Sequence, residues 1–322
     1  MGNEKKKVLL IRFSSLGDVV LANFFAKKIK QKNPLWHLTW LVDSVYRDIV
    51  IPQPWVDDVI VWNRKKDGNL GFIKIIKFIR SQNFDILIDM HNTDRSSLLS
   101  LLSGVPLRYA DRFRLPFAHN IHSFKTIADE SEKISECSAY LHPTGSHKII
   151  DRYFNNSKAK KRLTLAIGAS YENKRWPINR WIEFVKLALD ANFILYLVGD
   201  GEDEIRGAKE VTNAVKSEEL VDLVGRLSLS ELVQVVNETD ATISGDTGIL
   251  HIARALGKHI IGLFGPNVLS ADYMQSLSKA LYCSCPELGC KNWRCSKPCL
   301  DTIPAEAVLE SVMEIVERGD SK

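Results

Sequence analysis

Short, nearly all-apolar runs, each followed by a stretch with helical periodicity, recur along this chain in two successive series. In the first, residues 8–13 (VLLIRF) lead into a Ser-Ser-Leu-Gly-Asp loop, and 19–32 read as a helix with basic residues toward its C-terminal end. Residues 36–42 and 59–62 are the next strands, 70–80 (LGFIKIIKFIR) an amphipathic helix, and 85–90 (DILIDM) a further strand. In the second, strands at 163–167, 193–198, 221–224, 241–244 and 260–264 alternate with helices at 178–191, 202–215, 230–237 and 247–256. Strands without a polar face are covered on both sides, so the pattern predicts parallel sheets flanked by helices. Two such units in tandem would set a cleft between the carboxyl ends of two groups of strands.

Between these series the pattern fails. Residues from about 107 to 147 mix His, Arg, Pro and aromatics and read as loops and short elements at the edge of the first domain. The polar, aperiodic stretch 155–161 is the expected linker. The expected division is a first domain over 1–157, a second over 158–303, and a closing helical segment over 304–322.

A length of 322 residues agrees with two domains. With 43 Lys and Arg against 39 Asp and Glu, the net charge of +4 argues against a general nucleic-acid binder. No apolar run approaches the ~20 residues that span a bilayer. The basic N-terminus leads into six apolar residues and then a glycine loop, which is a first strand and not a signal peptide. The expected location is the cytoplasm. Five of six cysteines fall between Cys283 and Cys299, a cluster that in a cytoplasmic protein suggests metal more than disulfides.

Four segments could carry chemistry. In 244–257 (SGDTGILHIARALG) a strand ends, a Gly-Asp-Thr-Gly turn follows, and a helix begins with the apolar stripe Ile249, Ile252, Ala253, Leu256. Asp246 or Thr247 could cap its first turn. Gly248 removes a side chain where a ligand would approach, and free N–H groups at the positive end of the helix suit a phosphate. His251 is close enough to reach a phosphate or ribose. An ordinary capped helix is the competing reading. In 168–177 (GASYENKRWP) small residues leave room, Ser170 offers a hydroxyl, and Lys174 a mobile cation for a diphosphate. The alternative is a solvated charged loop. In 199–204 (GDGEDE) the acids could accept from ribose hydroxyls or simply favour a helix dipole. Neither G-x-G-x-x-G after a first strand nor G-x-x-x-x-G-K-[ST] occurs. Finally, Asp18 stands at a helix start, either as a general base or as a helix cap.

Together and in this order, R-F-S-S-L-G-D-V, K-R-W-P, and D-T-G-I-L-H-I-A-R-A-L-G followed by G-L-F-G-P resemble the family 9 glycosyltransferases, the ADP-heptose:lipopolysaccharide heptosyltransferases. The resemblance runs from Val8 to about Val316. It implies an α/β protein of GT-B architecture, two Rossmann-like domains with parallel sheets facing across a cleft. The acceptor would bind the first domain and the nucleotide sugar the second, with the last helix packing back on the first. It implies inverting transfer of heptose from ADP-heptose, or another nucleotide sugar, to a lipopolysaccharide inner-core acceptor, with no catalytic metal. The acceptor's lipid would place the enzyme at the cytoplasmic face of the inner membrane.

Carried over by position, the resemblance makes Asp18 the general base. It gives Ser170 and Lys174 to the donor diphosphate, and Asp246, Thr247, Gly248 and His251 to the donor turn. Glu204 or Asp203 would hold the adenosine ribose. Ala169 departs from the Thr-Thr pair of lipopolysaccharide heptosyltransferase I. Arg64, Lys65, Arg112 and Arg114 are candidates for acceptor phosphates or carboxylates, or else surface charges. Cys283, Cys285, Cys290, Cys295 and Cys299 lie in a turn-rich loop where four thiolates could close a structural zinc or iron site, or remain reduced thiols. Some relatives in this family modify secreted adhesins and carry a cysteine-bound iron, so a protein heptosyltransferase is the alternative enzyme. A non-catalytic nucleotide-binding relative is the alternative of another class.

Overall fold

The computed structural model describes residues 4–110, 115, 117–121, 141, 148–154, 160–268, 277–292, 295 and 298–319. They form two compact units, with the described residues up to 121 and Leu141 in the first and those from 148 onward in the second.

The first unit runs β1 (Lys7–Ile11), α1 (Leu16–Lys32), β2 (His37–Asp43), a short α2 (Arg47–Val50), β3 (Asp58–Trp62), α3 (Arg64–Gln82), β4 (Ile86–Asp89), α4 (Asp94–Leu102) and β5 (Leu107–Ala110). The sheet order is β3-β2-β1-β4-β5, every pair parallel, with Leu9 opposite Thr39 on one side and Leu87 on the other. Val8 to Ile11 are wholly buried, as expected of a central strand covered on both faces. One face packs Leu9, Ile11, Phe13, Trp62, Ile79 and Leu99 into a core. Helix α4 has no counterpart in the expected elements, and strand β5 falls where loops and short elements are expected. The α4 sequence DRSSLLSLL has only a weak apolar stripe, because Ser96, Ser97 and Ser100 are the residues it buries alongside Leu99.

The second unit runs α5 (Lys148–Tyr153), β6 (Arg162–Ala166), α6 (Ile178–Asp190), β7 (Ile194–Val198), α7 (Glu202–Ala214), β8 (Leu220–Asp222), α8 (Leu229–Glu238), β9 (Ala241–Gly245), α9 (Gly248–Ala255), β10 (His259–Phe264), β11 (Lys279–Tyr282) and α10 (Ala305–Gly319). Its parallel sheet is ordered β11-β10-β9-β6-β7-β8, with Leu165 between Leu197 and Ile243. At Gly257 the backbone turns left-handed (φ 68°), which ends α9 at the expected stop.

Two segments near the expected domain limits pack within the second unit. The sequence pattern places the segment before the linker in the first domain, yet α5 belongs to the second. Ile149 and Phe154 join a core with Ala166, Tyr196 and Val198; Phe154 stacks on Tyr196 at 4.5 Å, and the Tyr196 hydroxyl donates to the Tyr153 carbonyl at 3.0 Å. Residues 155–159 of the expected linker lie outside the described residues. The closing helix gives its apolar face to the core of the second unit. Ala305, Val308, Val312 and Ile315 pack with Trp181, Phe184 and Val185 of α6, and the buried Trp176 indole donates to the Ile303 carbonyl at 3.0 Å. Among the described residues, no helix is long and apolar enough to cross a membrane.

Candidate functional site

In each sheet the strand order reverses at one place, between β1 and β4 in the first unit and between β6 and β9 in the second. Loops leaving the carboxyl ends on either side of such a reversal diverge and leave a crevice. Three of the four candidate segments fall on these two crevices, and the fourth joins the second through Glu204.

In the second unit, the loop after β6 carries Ser170 and Lys174, and the turn after β9 carries Asp246 and Thr247. Lys174 Nζ donates to Asp246 Oδ2 at 2.7 Å, with both side chains largely buried. Asn267, just beyond β10, donates to the same oxygen at 2.6 Å. Oδ1 of Asp246 is left without a donor among the described residues. A side chain at Gly245 would press on the Lys174 carbonyl at 3.0 Å, so a glycine lets the two loops approach. Thr247 occupies the N-cap position of α9, but its hydroxyl shares a 2.9 Å hydrogen bond with Ser244 and makes no cap bond. The first-turn N–H groups of α9, beginning at Gly248, therefore lack the side-chain cap that the competing reading required. His251 is half-buried in that turn, and Ser170 is exposed on the facing loop.

Glu204, in the first turn of α7, lies over Gly168 and Gly201, where any side chain would collide with its carboxylate. It forms part of the lining of a cavity of about 440 Å³, together with Trp176, Asp203, Cys295 and Pro298. Asp203 is already engaged by cations. Arg175 bonds it at 2.8 Å and Arg206 pairs with it, and the Arg175 hydrogen bond leads in holding its pKa low. Of the two ribose candidates, Glu204 is the one whose carboxylate has no cation on it among the described residues.

In the first unit, Ser15 is the N-cap of α1 and Asp18 sits three residues inside the helix. The Ser15 backbone N–H and hydroxyl both donate to Asp18 Oδ2, at 3.2 and 2.9 Å, and Arg12 pairs with the same oxygen. Burial pushes the Asp18 pKa up; the Arg12 charge and the Ser15 hydrogen bonds outweigh it, and the net shift is down. The side chain is still 46% exposed, so an ionised oxygen faces solvent. The contacts at the helix start thus fall on Oδ2 and leave Oδ1 open among the described residues. Arg12 is itself held by the Met90 carbonyl beyond β4, which ties the two sides of the crevice together.

The model of glycosyltransferase family 9 (heptosyltransferase) matches residues 72–297. The chain belongs to glycosyltransferase family 9. It is 24% identical to lipopolysaccharide heptosyltransferase 1 of Campylobacter coli, over 96% of this chain and 98% of that one. Among solved structures, a family 9 glycosyl transferase from Veillonella parvula superposes with a TM-score of 0.81 at 18% identity, covering 97% and 98% of the two chains. The E. coli heptosyltransferase WaaC with ADP-2-deoxy-2-fluoro heptose superposes with a TM-score of 0.72 at 18% identity, covering 96% and 99%. The fold is therefore of GT-B type, and the protein is a glycosyltransferase with a heptosyltransferase role.

The remaining expected residues of this family 9 transferase divide clearly. Arg64 does line the first crevice: it donates to Asp43 Oδ2 at 2.7 Å and to the Ser14 hydroxyl at 3.0 Å, over the face of Phe13. Lys65 is exposed beside it. Arg112 and Arg114 lie outside the described residues. Cys283 and Cys299 are buried against the end of β10, where a side chain at Gly265 would meet Cys299 at 3.1 Å; Cys290 is exposed. All five thiols are free. Burial first, then the neighbouring cysteines, raise the Cys299 pKa. Among the described residues, no group of three His, Cys, Asp or Glu side chains is placed to hold a metal ion.

Four further residues of the crevices are not singled out by the sequence pattern. Arg12 and Asn267 anchor the two key carboxylates. Tyr46 has its pKa raised by burial and by Asp43, with Arg64 opposing. His91 follows β4, packs edge-on to Phe13 at 4.8 Å, and is driven down to about 4 by burial and then by Arg12 and Arg64. Arg12 falls inside the R-F-S-S-L-G-D segment and Asn267 directly follows G-L-F-G-P; position after a strand end is the signal that could have found them.

Proposed function

We propose that this transferase moves heptose from ADP-heptose to a lipopolysaccharide inner-core acceptor by a single inverting displacement that needs no divalent ion. The observation that carries this reading is the uncapped start of α9 beside the Lys174–Asp246 pair. A diphosphate set there would meet backbone N–H groups and the Lys174 ammonium, which spread the charge of departing ADP as a metal would. Glu204 would accept from the ribose hydroxyls and Asp246 Oδ1 from a hydroxyl of the sugar. In the first unit, Asp18 Oδ1 takes the proton of the acceptor hydroxyl as its oxygen attacks the anomeric carbon. Attack opposite the leaving diphosphate inverts that carbon. Arg64 and Lys65 offer cations to the acid groups of the acceptor. The acceptor's lipid puts the reaction at the cytoplasmic face of the inner membrane.

The test is a panel of nucleotide sugars with a deacylated inner core as acceptor, and an adhesin peptide as contrast, in the presence of EDTA. ADP-heptose turnover on the core with inverted anomeric configuration supports the reading. Preference for a uridine donor, retained configuration, abolition by EDTA, or transfer to the peptide alone overturns it.

A further inference from the structure

The outer face of α3 is an unusual surface for a water-facing helix. Leu70 is 74% exposed, Ile73 50% and Phe78 45%. Successive positions 70, 73, 74, 77 and 78 fall on one side of a helix, so these apolar residues share that side with Lys74 and Lys77. Helix α4 packs beside α3 and carries exposed leucines of its own, Leu98, Leu101 and Leu102, each about two-fifths exposed. Cations frame it. The α3 sequence RKKDGNLGFIKIIKFIRSQ holds six Lys and Arg against one Asp. Arg95 adds another at the start of α4, where it lies over the Trp62 ring.

We propose that this α3–α4 face docks the transferase on an anionic bilayer. Exposed Leu, Ile and Phe set among lysines match the two halves of a membrane interface, acyl chains for the former and acidic headgroups for the latter. The charge selects among occupants. A symmetric second copy would set lysines against lysines. A polynucleotide would meet the cations but leave the apolar crest without a partner. The position fits as well: α3 begins at the carboxyl edge of the sheet, where its first residue, Arg64, already touches Asp43 and Ser14 of the crevice that holds Asp18. A chain lying on α3 would hold that crevice at the headgroup level. The proposal rests on the lipid-linked acceptor of the reading above.

Flotation of the full-length protein with phosphatidylethanolamine–phosphatidylglycerol vesicles, compared with pure phosphatidylcholine vesicles, tests it. The parent should float with the anionic vesicles, not the neutral ones, and lose binding as salt rises. Two double variants, Leu70→Ser with Ile73→Ser and Lys74→Glu with Lys77→Glu, should each reduce binding at least tenfold, on the scale of about fivefold per cation. All four side chains are exposed, so circular dichroism and transfer to the deacylated, water-soluble acceptor should not change. Equal flotation with both vesicle types, or parent-like binding by both variants, overturns the proposal. So does an equilibrium-sedimentation dimer that Leu70→Ser with Ile73→Ser dissociates while vesicle binding persists. Failure of the parent on the soluble acceptor, with vesicle binding intact, sinks the assigned reaction and leaves the docking face standing.

Discussion

Asp18 and Asp246 occupy matching places in two different sheets, and they are held differently. Each stands past the strand beside an order reversal, and each has one oxygen saturated by a cation and a second donor while the other oxygen stays open. Asp18 is served from within its own loop, by Arg12 and Ser15. Asp246 is served by Lys174, 72 residues away, and by Asn267, 21 residues away. Asp18 is also 46% exposed and Asp246 13%. The general-base role proposed for Asp18 suits a carboxylate half in solvent, on a rigid helix start. The sugar-orienting role proposed for Asp246 suits one that is buried and cross-braced. In the Arg12–Asp18 pair only the carboxylate is half-exposed, and solvent screening there lowers what the pair adds to stability. Removing one partner of the buried Lys174–Asp246 pair leaves a charge uncompensated.

The sharpest break in this comparison is Asp18→Asn. It should cut kcat on the order of 10²–10⁴-fold while donor affinity stays within a few fold, measured by steady-state kinetics and calorimetry. Near-normal turnover would remove Asp18 from the base role. Next comes Lys174→Ala, which should weaken ADP itself by roughly 10–100-fold, the scale of a lost charge-assisted hydrogen bond. Lys174→Arg should restore only part, since a planar guanidinium places its charge differently. Unchanged ADP affinity would mean that Lys174 serves only Asp246.

Asn267→Ala separates sugar from nucleotide. With Asp246 released on one side, ADP-heptose should bind about tenfold more weakly while ADP changes little, the order of one lost hydrogen bond. Equal losses for both ligands would assign Asn267 to the diphosphate. Arg12→Gln acts on proton affinity. Arg12 helps keep Asp18 ionised, so its loss raises the Asp18 pKa and moves the acid limb of the kcat/KM profile to higher pH. An unmoved limb would show that Ser15 alone sets the carboxylate.

The smallest effect is on stability. His91 is neutral in the fold, with its pKa lowered from 6.5 to about 4. The unfolded chain therefore binds more protons between those values. The stability this neutral ring contributes is complete above pH 6.5 and is lost as pH falls toward 4. His91→Gln should flatten the fall in Tm across that window; an identical fall would place its cause elsewhere.

Much of this arrangement is legible in the order of residues alone. The alternation of apolar runs and helical stretches foretells two parallel sheets, and Asp18, Lys174, Glu204, Asp246, Thr247, Gly248 and His251 all lie at or beside strand ends on the carboxyl side. Where pattern and fold part company, the causes are physical. Helix α4 buries serines, so its stripe is faint. Strand β11 is short and only half-buried at the sheet edge, without the unbroken apolar burial of β7 or β9. The cysteine cluster is real as a neighbourhood, but spacing along a turn-rich loop does not set the directions of five thiols.

The chain's sequence by itself determined what depends on neighbours a few residues apart. Apolar strands choose a sheet covered on both faces, Ser15 closes the start of α1 on Asp18, and Gly257 ends α9, because each needs only the geometry of one turn. Tertiary structure alone decided the strand order that brings Lys174 and Asn267 to one oxygen, and the core that claims α5 and α10 for the second unit. It also decided that Leu70, Ile73 and Phe78 stay uncovered, a stripe that in sequence reads like any buried one. These outcomes depend on which surfaces compete for the same apolar area, and that competition is settled only when the whole chain is packed.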